Sequence, residues 1–230
     1  AGVGEELCSN NADISLNGSV TGATGGTWSG GSGTFTPNAN TLNAVYTPSA
    51  GEITAGTVTL TLTSTGNGNC IPEDDQVTYT FSPAPTANAG VDQTACANNA
   101  DISLNGSVTV ATGGTWSGGS GTFTPNANTL NAVYTPSAAE LTAGTVTLTL
   151  TTTGNGDCNA VSDNVTINFT PAPTASAGSD QTVCANNPVV SLNGSVTIAT
   201  GGIWSGGTGV FSDVNILNPT YTPSAAEITA

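Results

Sequence analysis

Short runs in which apolar and polar residues alternate recur along the whole chain. In Thr145–Thr152, Val146, Leu148 and Leu150 fall on one side and the threonines on the other, which is the pattern of a strand with one buried and one solvated face. Segments rich in Gly, Asn and Pro separate such runs at the spacing typical of a β-sandwich. No helical periodicity of useful length competes, and we interpret Ser137–Gly144 as a corner that joins two sheets. The pattern therefore predicts an all-β fold.

The chain repeats itself with a spacing of 88 residues. Between positions 9 and 68 the first unit differs from the second at only five positions. A period of this kind indicates a tandem array in which each unit buries its own core. We expect units at 1–88 and 89–176, and a truncated third unit at 177–230. The marker residues that recur at this spacing are Cys8, Cys96 and Cys184; Trp28, Trp116 and Trp204; and Cys70 and Cys158.

The second unit shows the expected strands most clearly. Two proline-containing segments, Ser82–Gly90 and Thr170–Gly178, flank it and favour extended, semi-rigid connectors. About seven strands in a unit of this size are typical of an immunoglobulin-like sandwich, so the predicted architecture is an elongated array of tandem immunoglobulin-like β-sandwich domains. The predicted strands lie near Asp92–Ala95, Ile102–Val108, Gly114–Ser117, Gly121–Thr124, Ala132–Pro136, Thr145–Thr152 and Asn164–Thr170.

The charged-residue composition of the chain excludes several classes of function. The chain has 15 Asp and Glu residues and no Lys, Arg or His, which gives a formal charge of -15. This excludes a histidine base, a lysine Schiff base and an arginine phosphate clamp, and it repels nucleic acid and anionic lipid. No apolar run approaches the roughly 20 residues that cross a bilayer. We expect an exported, non-enzymatic protein without a cofactor, which binds no nucleic acid, does not insert into a membrane and has its own neighbouring repeats as partners.

Five cysteines in such a chain suggest an oxidising, extracellular compartment. Two pairings are open, and we expect the first, because secreted domains with two cysteines usually bridge internally. The predicted strand order favours the second pairing, because it places the two cysteines of one unit roughly 20 Å apart. Bridged Cα atoms lie within ~7 Å. The first pairing joins Cys8 to Cys70 and Cys96 to Cys158 and leaves Cys184 for a partner outside the chain. The second joins Cys8 to Cys158 across the junction of two units.

Two further groups of residues are candidates for binding. Trp28, Trp116 and Trp204 lie in Gly-rich segments and could stack on sugar rings, but we expect each to be the core tryptophan of its sandwich. The densest carboxylate cluster is Glu73, Asp74 and Asp75. Calcium needs several converging oxygens, and the matching segment of the second unit keeps only Asp163. We therefore predict solvated loop charge there, with calcium as the weaker alternative.

Several motifs resemble those of a known family. AGVDQTACANN, SLNGSV, TGGTWSGGSGTF, TAGTVTLTLT and PAPTANAG resemble the repeats of giant Bacteroidota surface proteins, notably the gliding-motility adhesin secreted by the type IX system. AGxDQT followed by SLNGS also looks like the opening of PKD-type immunoglobulin-like domains, although the first unit has GEELC in place of DQTAC. The likeness covers the whole chain. It implies an extracellular stalk or adhesin segment at the bacterial cell surface, and it carries over no catalytic residue.

Three functions remain open from the sequence. The first is a stalk or adhesin segment in surface adhesion or gliding motility. The second is a glycan-binding module in which weak sites, one per repeat, gain strength through multivalency. The third is a subunit of an extracellular fibre, in which another chain completes the truncated third unit by strand addition. The exposure of the tryptophans separates the first two.

Overall fold

The computed structural model describes residues 1–229. The first unit begins with a short strand and ends with a pair of long ones, because its longest alternating patterns lie in its second half. Its elements are β1 (Glu6–Cys8), β2 (Ile14–Ser15), β3 (Gly25–Ser29), β4 (Thr34–Thr36), β5 (Val45–Thr47), α1 (Ala50–Ala55), β6 (Thr57–Thr65) and β7 (Asp74–Ser82).

The second unit repeats this order and adds two short strands. Its elements are β8 (Thr86–Asn88), β9 (Gln93–Cys96), β10 (Ile102–Ser103), β11 (Ser107–Thr109), β12 (Gly113–Ser117), β13 (Thr122–Thr124), β14 (Val133–Thr135), α2 (Ala138–Ala143), β15 (Thr145–Thr153) and β16 (Ser162–Thr170).

The described residues of the third unit follow the same order, without strands that correspond to β9 and β12. Its elements are β17 (Thr174–Ser176), β18 (Val190–Ser191), β19 (Ser195–Thr197), β20 (Val210–Phe211), β21 (Thr220–Thr222) and α3 (Ala225–Thr229).

Each of the first two units is a two-sheet sandwich. In the first unit one sheet has the order β1-β7-β6-β3 and the other β2-β5-β4. The second unit has the matching sheets β9-β16-β15-β12 and β10-β14-β13. The first strand of the four-stranded sheet runs parallel to the last strand of the unit, while the other pairs in these sheets are antiparallel. This arrangement is an immunoglobulin-like β-sandwich, as the alternating pattern predicts.

Each complete unit has a core of its own. Residues of both sheets share one buried cluster in the first unit and a separate one in the second. The tryptophan is central in both, since Trp28 and Trp116 are each 2% exposed. The indole N–H of Trp116 donates to the Leu130 carbonyl at 3.1 Å, so burial leaves its polar atom satisfied.

Two long strands cover the core in each of the first two units. The described residues of the third unit end before the positions that would match β15 and β16. Trp204 is half-buried, and it lines an open apolar groove of about 290 Å³ with Val196, Ile203 and Leu217.

The structure corrects the predicted strand map at two places. The predicted strand Ile102–Val108 is divided into β10, in the three-stranded sheet, and β11, which pairs with β8 instead. The predicted corner Ser137–Gly144 contains a helix, α2. A capping box explains it, because Ser137 and Glu140 each accept from the other's backbone N–H, and Gly144 ends the helix with a φ of 78°.

The connector between the first two units also differs from the prediction. Thr86–Asn88, which the repeat spacing assigns to unit 1–88, pairs with β11 of the second unit, and Ala89 is 1% exposed in the second core. Only Pro83, Ala84 and Pro85 separate β7 from β8. The connector between the last strand of the first unit and the first strand of the second is therefore three residues long.

Candidate functional site

The contact between the first and second units is the most distinctive site of the molecule. Because β1 runs parallel to β7, Cys8 lies beside Ser82, where the chain leaves the first unit. The turn between β15 and β16 lies at the opposite end of the second unit from Thr170, so it faces back toward the first unit. This turn carries Cys158. We call the contact of residues 8–11 with residues 157–159 the junction.

A disulfide bond closes the junction. Cys8 and Cys158 are bonded with their Cα atoms 5.0 Å apart, across a sequence separation of 150 residues. Both sulfur atoms lie near the carbonyl oxygen of Pro83, at 4.0 and 3.9 Å. The bridge is therefore folded over the start of the connector, and two covalent paths join the two units.

Asparagine side chains add a polar contact beside the bridge. The Asn10 amide donates to the Asn159 carbonyl at 2.9 Å. In return Asn159 donates its backbone N–H to the Asn10 side chain at 3.1 Å and its amide to the Asn10 carbonyl at 2.8 Å. The Asn11 amide donates to the carbonyl of Asp157 at 3.1 Å. These four hydrogen bonds fix the two turns against each other.

The expected internal pairing, Cys8 to Cys70 and Cys96 to Cys158, is wrong in this structure. Cys96 pairs with Thr170 at the last residue of β16, whereas Cys158 precedes the first residue of that strand. A strand of nine residues separates its ends by roughly 25 Å, and bridged Cα atoms lie within ~7 Å. The structure has the alternative pairing, and Cys70, Cys96 and Cys184 are free among the described residues.

The corner of each unit holds a carboxylate that recurs in the sequence; Glu140 is buried, Glu52 is half-buried and Glu227 is exposed. Glu140 is 8% exposed. Its Oε1 accepts from the Tyr134 hydroxyl and from the Ser120 N–H, both at 2.7 Å, and its Oε2 accepts from the Ser137 N–H at 2.7 Å. The Gly121 N–H in turn donates to the Tyr134 hydroxyl at 2.9 Å. The same pair recurs as Tyr46 with Glu52 and as Tyr221 with Glu227.

The pKa values of this pair move apart. Burial, together with the hydrogen bond to Glu140, raises the pKa of Tyr134 to about 12. Burial also acts to raise the pKa of Glu140, but hydrogen bonds from Tyr134, Ser137 and Ser120 outweigh it and leave that pKa below its ordinary value. At neutral pH the phenol keeps its proton and the carboxylate stays charged, so the pair fastens the helix to the neighbouring turn and does not exchange a proton.

The tryptophan candidates for sugar stacking are placed inside. Trp28 and Trp116 are core residues and present no face to a ligand. Trp204 is half-buried. The expectation that each tryptophan is a core residue holds for both complete units.

The carboxylate candidates do not converge. Glu73 lies just before β7, and Asp74 and Asp75 are its first two residues, so their side chains leave opposite faces of the strand. Asp75 accepts from the amino group of Ala1. Within residues 1–229 no three His, Cys, Asp or Glu side chains are grouped so that they could hold a metal ion, and no helix there is long and apolar enough to span a membrane.

Sequence reasoning missed the asparagines of the junction. The sequence does mark Asn10 and Asn11. In every unit the second and third residues after the first cysteine are asparagines, in the segments CSNN, CANN and CANN. The sequence marks Asn159 less clearly, because an asparagine follows Cys158 but isoleucine follows Cys70, so this position does not recur between units.

Comparisons with known proteins add little to this geometry. No protein-family model matches the chain, and no curated protein matches it. Solved structures match at low similarity. Drosophila N-cadherin EC1-4 is 13% identical over 73% of this chain and 48% of that chain, with a TM-score of 0.36. Titin domains I67-I69 are 10% identical over 97% and 87%, with a TM-score of 0.38. Mouse protocadherin-24 EC1-3 is 11% identical over 97% and 83%, with a TM-score of 0.39. The fold therefore rests on the strand order and register given above.

Proposed function

We propose that this chain is a stalk or adhesin segment of a large extracellular protein, in which successive domains are held in a fixed orientation by a disulfide between them. One observation carries the proposal: the Cys8–Cys158 bridge joins two units that have separate cores. A bridge inside a unit would stabilise that unit. A bridge between units stabilises their relative orientation.

The connector supports a stiff junction. It has three residues, two of them proline, and proline fixes φ and favours extended backbone. A single covalent path of this kind would still allow bending. The second path through the disulfide, with four hydrogen bonds beside it, restrains bending and twisting at the same point.

Composition supports an extracellular location. Disulfides persist in oxidising compartments, and the chain has no Lys or Arg, so trypsin-like proteases find no cleavage site in it. The bacterial cell surface, type IX secretion and a part in gliding rest on the motif resemblance alone. A type IX sorting domain in the full-length gene product would support them.

The two other functions lose support. Glycan stacking was assigned to the tryptophans, and those of the complete units are buried. Strand addition would need a free strand that fits the groove of the third unit. The two strands that fit by sequence, β6 and β15, are already paired within their own units, so donation from a second copy would unfold one unit to complete another.

Residual dipolar couplings of the full chain test the proposal. With the bridge intact, the first and second units should share one alignment tensor, because they are oriented as one body. In Cys8→Ser the tensors should differ, while the control Cys70→Ser should behave like the parent protein. Different tensors in the oxidised parent protein would refute a fixed junction.

A further inference from the structure

The first unit contacts the second through Cys8, Asn10 and Asn11, which we call its docking surface. The same surface is repeated on the second unit. In the first unit the Asn11 N–H donates to the Cys8 carbonyl at 2.9 Å, and the Ser9 N–H donates to Ser82 at 2.9 Å. In the second unit Asn99 donates to Cys96 at 2.9 Å and Ala97 donates to Thr170 at 2.9 Å. The two turns therefore have the same backbone geometry and the same relation to the last strand of the unit.

The free thiol of the second unit lies where the bonded one lies in the first. The Cys96 sulfur is 3.7 Å from the carbonyl oxygen of Pro171. The Cys8 sulfur is 4.0 Å from the matching carbonyl of Pro83. Asn98 and Asn99, which correspond to Asn10 and Asn11, are exposed.

We propose that Cys96, Asn98 and Asn99 form a docking and disulfide-forming site for a loop of the sequence Gly-Asn-Gly-Xaa-Cys-Asn, of the kind that Gly154–Asn159 supplies at the junction. The occupant is defined by what sits on the equivalent surface of the first unit. There the cysteine of such a loop is bonded to Cys8, and the asparagine after it makes three of the four hydrogen bonds.

The consequence is a repeating pattern of one disulfide for each pair of neighbouring units. The first cysteine of one unit bonds to the second cysteine of the next. Each bond forms from two thiols, and the two electrons and two protons released pass to a disulfide oxidant of the oxidising compartment. The same turn begins at Cys184 in the third unit, where Cys184 forms a β-bridge with Asn187.

The second cysteine of the first unit provides an internal contrast. Cys70 is exposed and free, and it belongs to a loop, not to a docking surface. Ile71 follows it where Asn159 follows Cys158. A docking loop should therefore discriminate between the thiols of Cys96 and Cys70, although both are accessible.

Disulfide exchange on the full chain tests this. The probe is a peptide of residues 153–161 whose cysteine carries glutathione as a mixed disulfide. The Cys96 thiolate attacks the peptide sulfur, a Cys96–peptide disulfide forms, and glutathione leaves as its thiolate, so no further oxidant is consumed. Oxidised glutathione alone gives the intrinsic reactivity of each thiol, and mass spectrometry locates the adducts.

For each thiol, the rate of peptide capture is divided by its rate with oxidised glutathione. We expect this ratio to be at least about ten-fold higher for Cys96 than for Cys70, which corresponds to a docking free energy of about 1.4 kcal/mol. The control peptide, residues 65–73, has isoleucine after its cysteine and should show no such preference. Asn98→Ala should lower capture at Cys96 and leave Cys70 unchanged. Equal relative rates at the two thiols, or equal rates for the two peptides, would overturn the proposal.

This inference goes beyond the proposed function and fails separately from it. If the dipolar couplings showed a mobile junction, the stiff stalk would be refuted, whereas selective capture at Cys96 would still define the loop-binding site. If capture were unselective, the measured orientation of the first two units would be unaffected.

Discussion

At the scale of single residues, the carboxylate at the corner of each unit has no basic side chain to pair with, because the chain contains no Lys, Arg or His. The Glu140 oxygens accept from the backbone N–H groups of Ser120 and Ser137 and from the Tyr134 hydroxyl. Backbone and hydroxyl donors thus replace the lysine or arginine that usually accompanies a buried carboxylate.

This network predicts how stability depends on pH. The folded-state pKa values of Glu52 and Glu140 lie below the ordinary value of 4.5, and that of Glu227 is about 2. Their contribution is therefore complete above about pH 4.5 and is lost as the pH falls through the folded values. The pKa of Tyr46 and of Tyr134 is raised from 10.0 to about 12, so their contribution is lost between about pH 10 and pH 12. Urea unfolding from pH 2 to pH 12 should show a plateau between these limits.

Glu140→Gln isolates one of these carboxylates. Glutamine places an amide donor against groups that themselves donate, so the free energy of unfolding of the second unit should fall by about 1–3 kcal/mol at pH 7. The deficit should shrink as the pH falls below about 4.5, because the unfolded parent protein then takes up a proton that the folded carboxylate resists. Glu5→Gln, at an exposed position, is the matched control and should change little. An E140Q deficit that is constant from pH 7 to pH 3 would contradict the assignment.

At the scale of elements, most strands of the second unit were predictable, including the short strands β9, β12, β13 and β14, whereas β8 and α2 were not. β15 and β16 each have three apolar residues at alternating positions, and the pattern locates both strands to within a few residues. β8 has the sequence Thr-Ala-Asn, which carries no pattern, and it forms because β11 offers it a partner. α2 has six residues and no buried apolar face, so capping stabilises it and hydrophobic periodicity cannot reveal it.

The junction was only half predictable, for the same reason. Strand order placed Cys8 and Cys158 at facing ends of neighbouring units, and the two cysteines are bonded there. The asparagines that complete the contact act across 149 residues of sequence, where no local pattern records the partner. The base rate for cysteine pairing within domains pointed the other way.

Replacement of Ala89 tests whether the end of the connector folds with the second unit. Ala89 is 1% exposed, and its N–H donates to the Asp163 carboxylate at 2.8 Å. Ala89→Asp would bury a carboxylate next to that of the half-buried Asp163, and the free energy of unfolding of the second unit should fall by several kcal/mol. Ala177→Asp is the matched control, since Ala177 holds the equivalent position in the third unit and is exposed. Similar small effects of the two substitutions in urea unfolding would show that Ala89 is not part of the core.

At the scale of the whole molecule, separate cores predict separate unfolding of the units. Trp116→Ala should destabilise the second unit by about 3–5 kcal/mol and leave the core of the first unit unchanged. Calorimetry should then resolve a low-temperature transition for the second unit. Trp204→Ala, at the half-buried position of the incomplete unit, is the comparison and should have a much smaller effect. A single transition that shifts as a whole in W116A would mean that the two sandwiches share one folding unit.

The disulfide also determines which parts of the chain bear a mechanical load. When the two ends are pulled apart, tension enters through the residues before Cys8 and crosses the sulfur bridge to Cys158. The residues between the two cysteines, which include most of the first sandwich and much of the second, lie on a closed loop off the line of force. With a sequence separation of 150 and ~3.4 Å per extended residue, the bridge withholds roughly 500 Å of contour length. Single-molecule pulling should show this length only after reduction, because in the oxidised chain a covalent bond, and not the β-sheets, holds the segment between the two cysteines against extension.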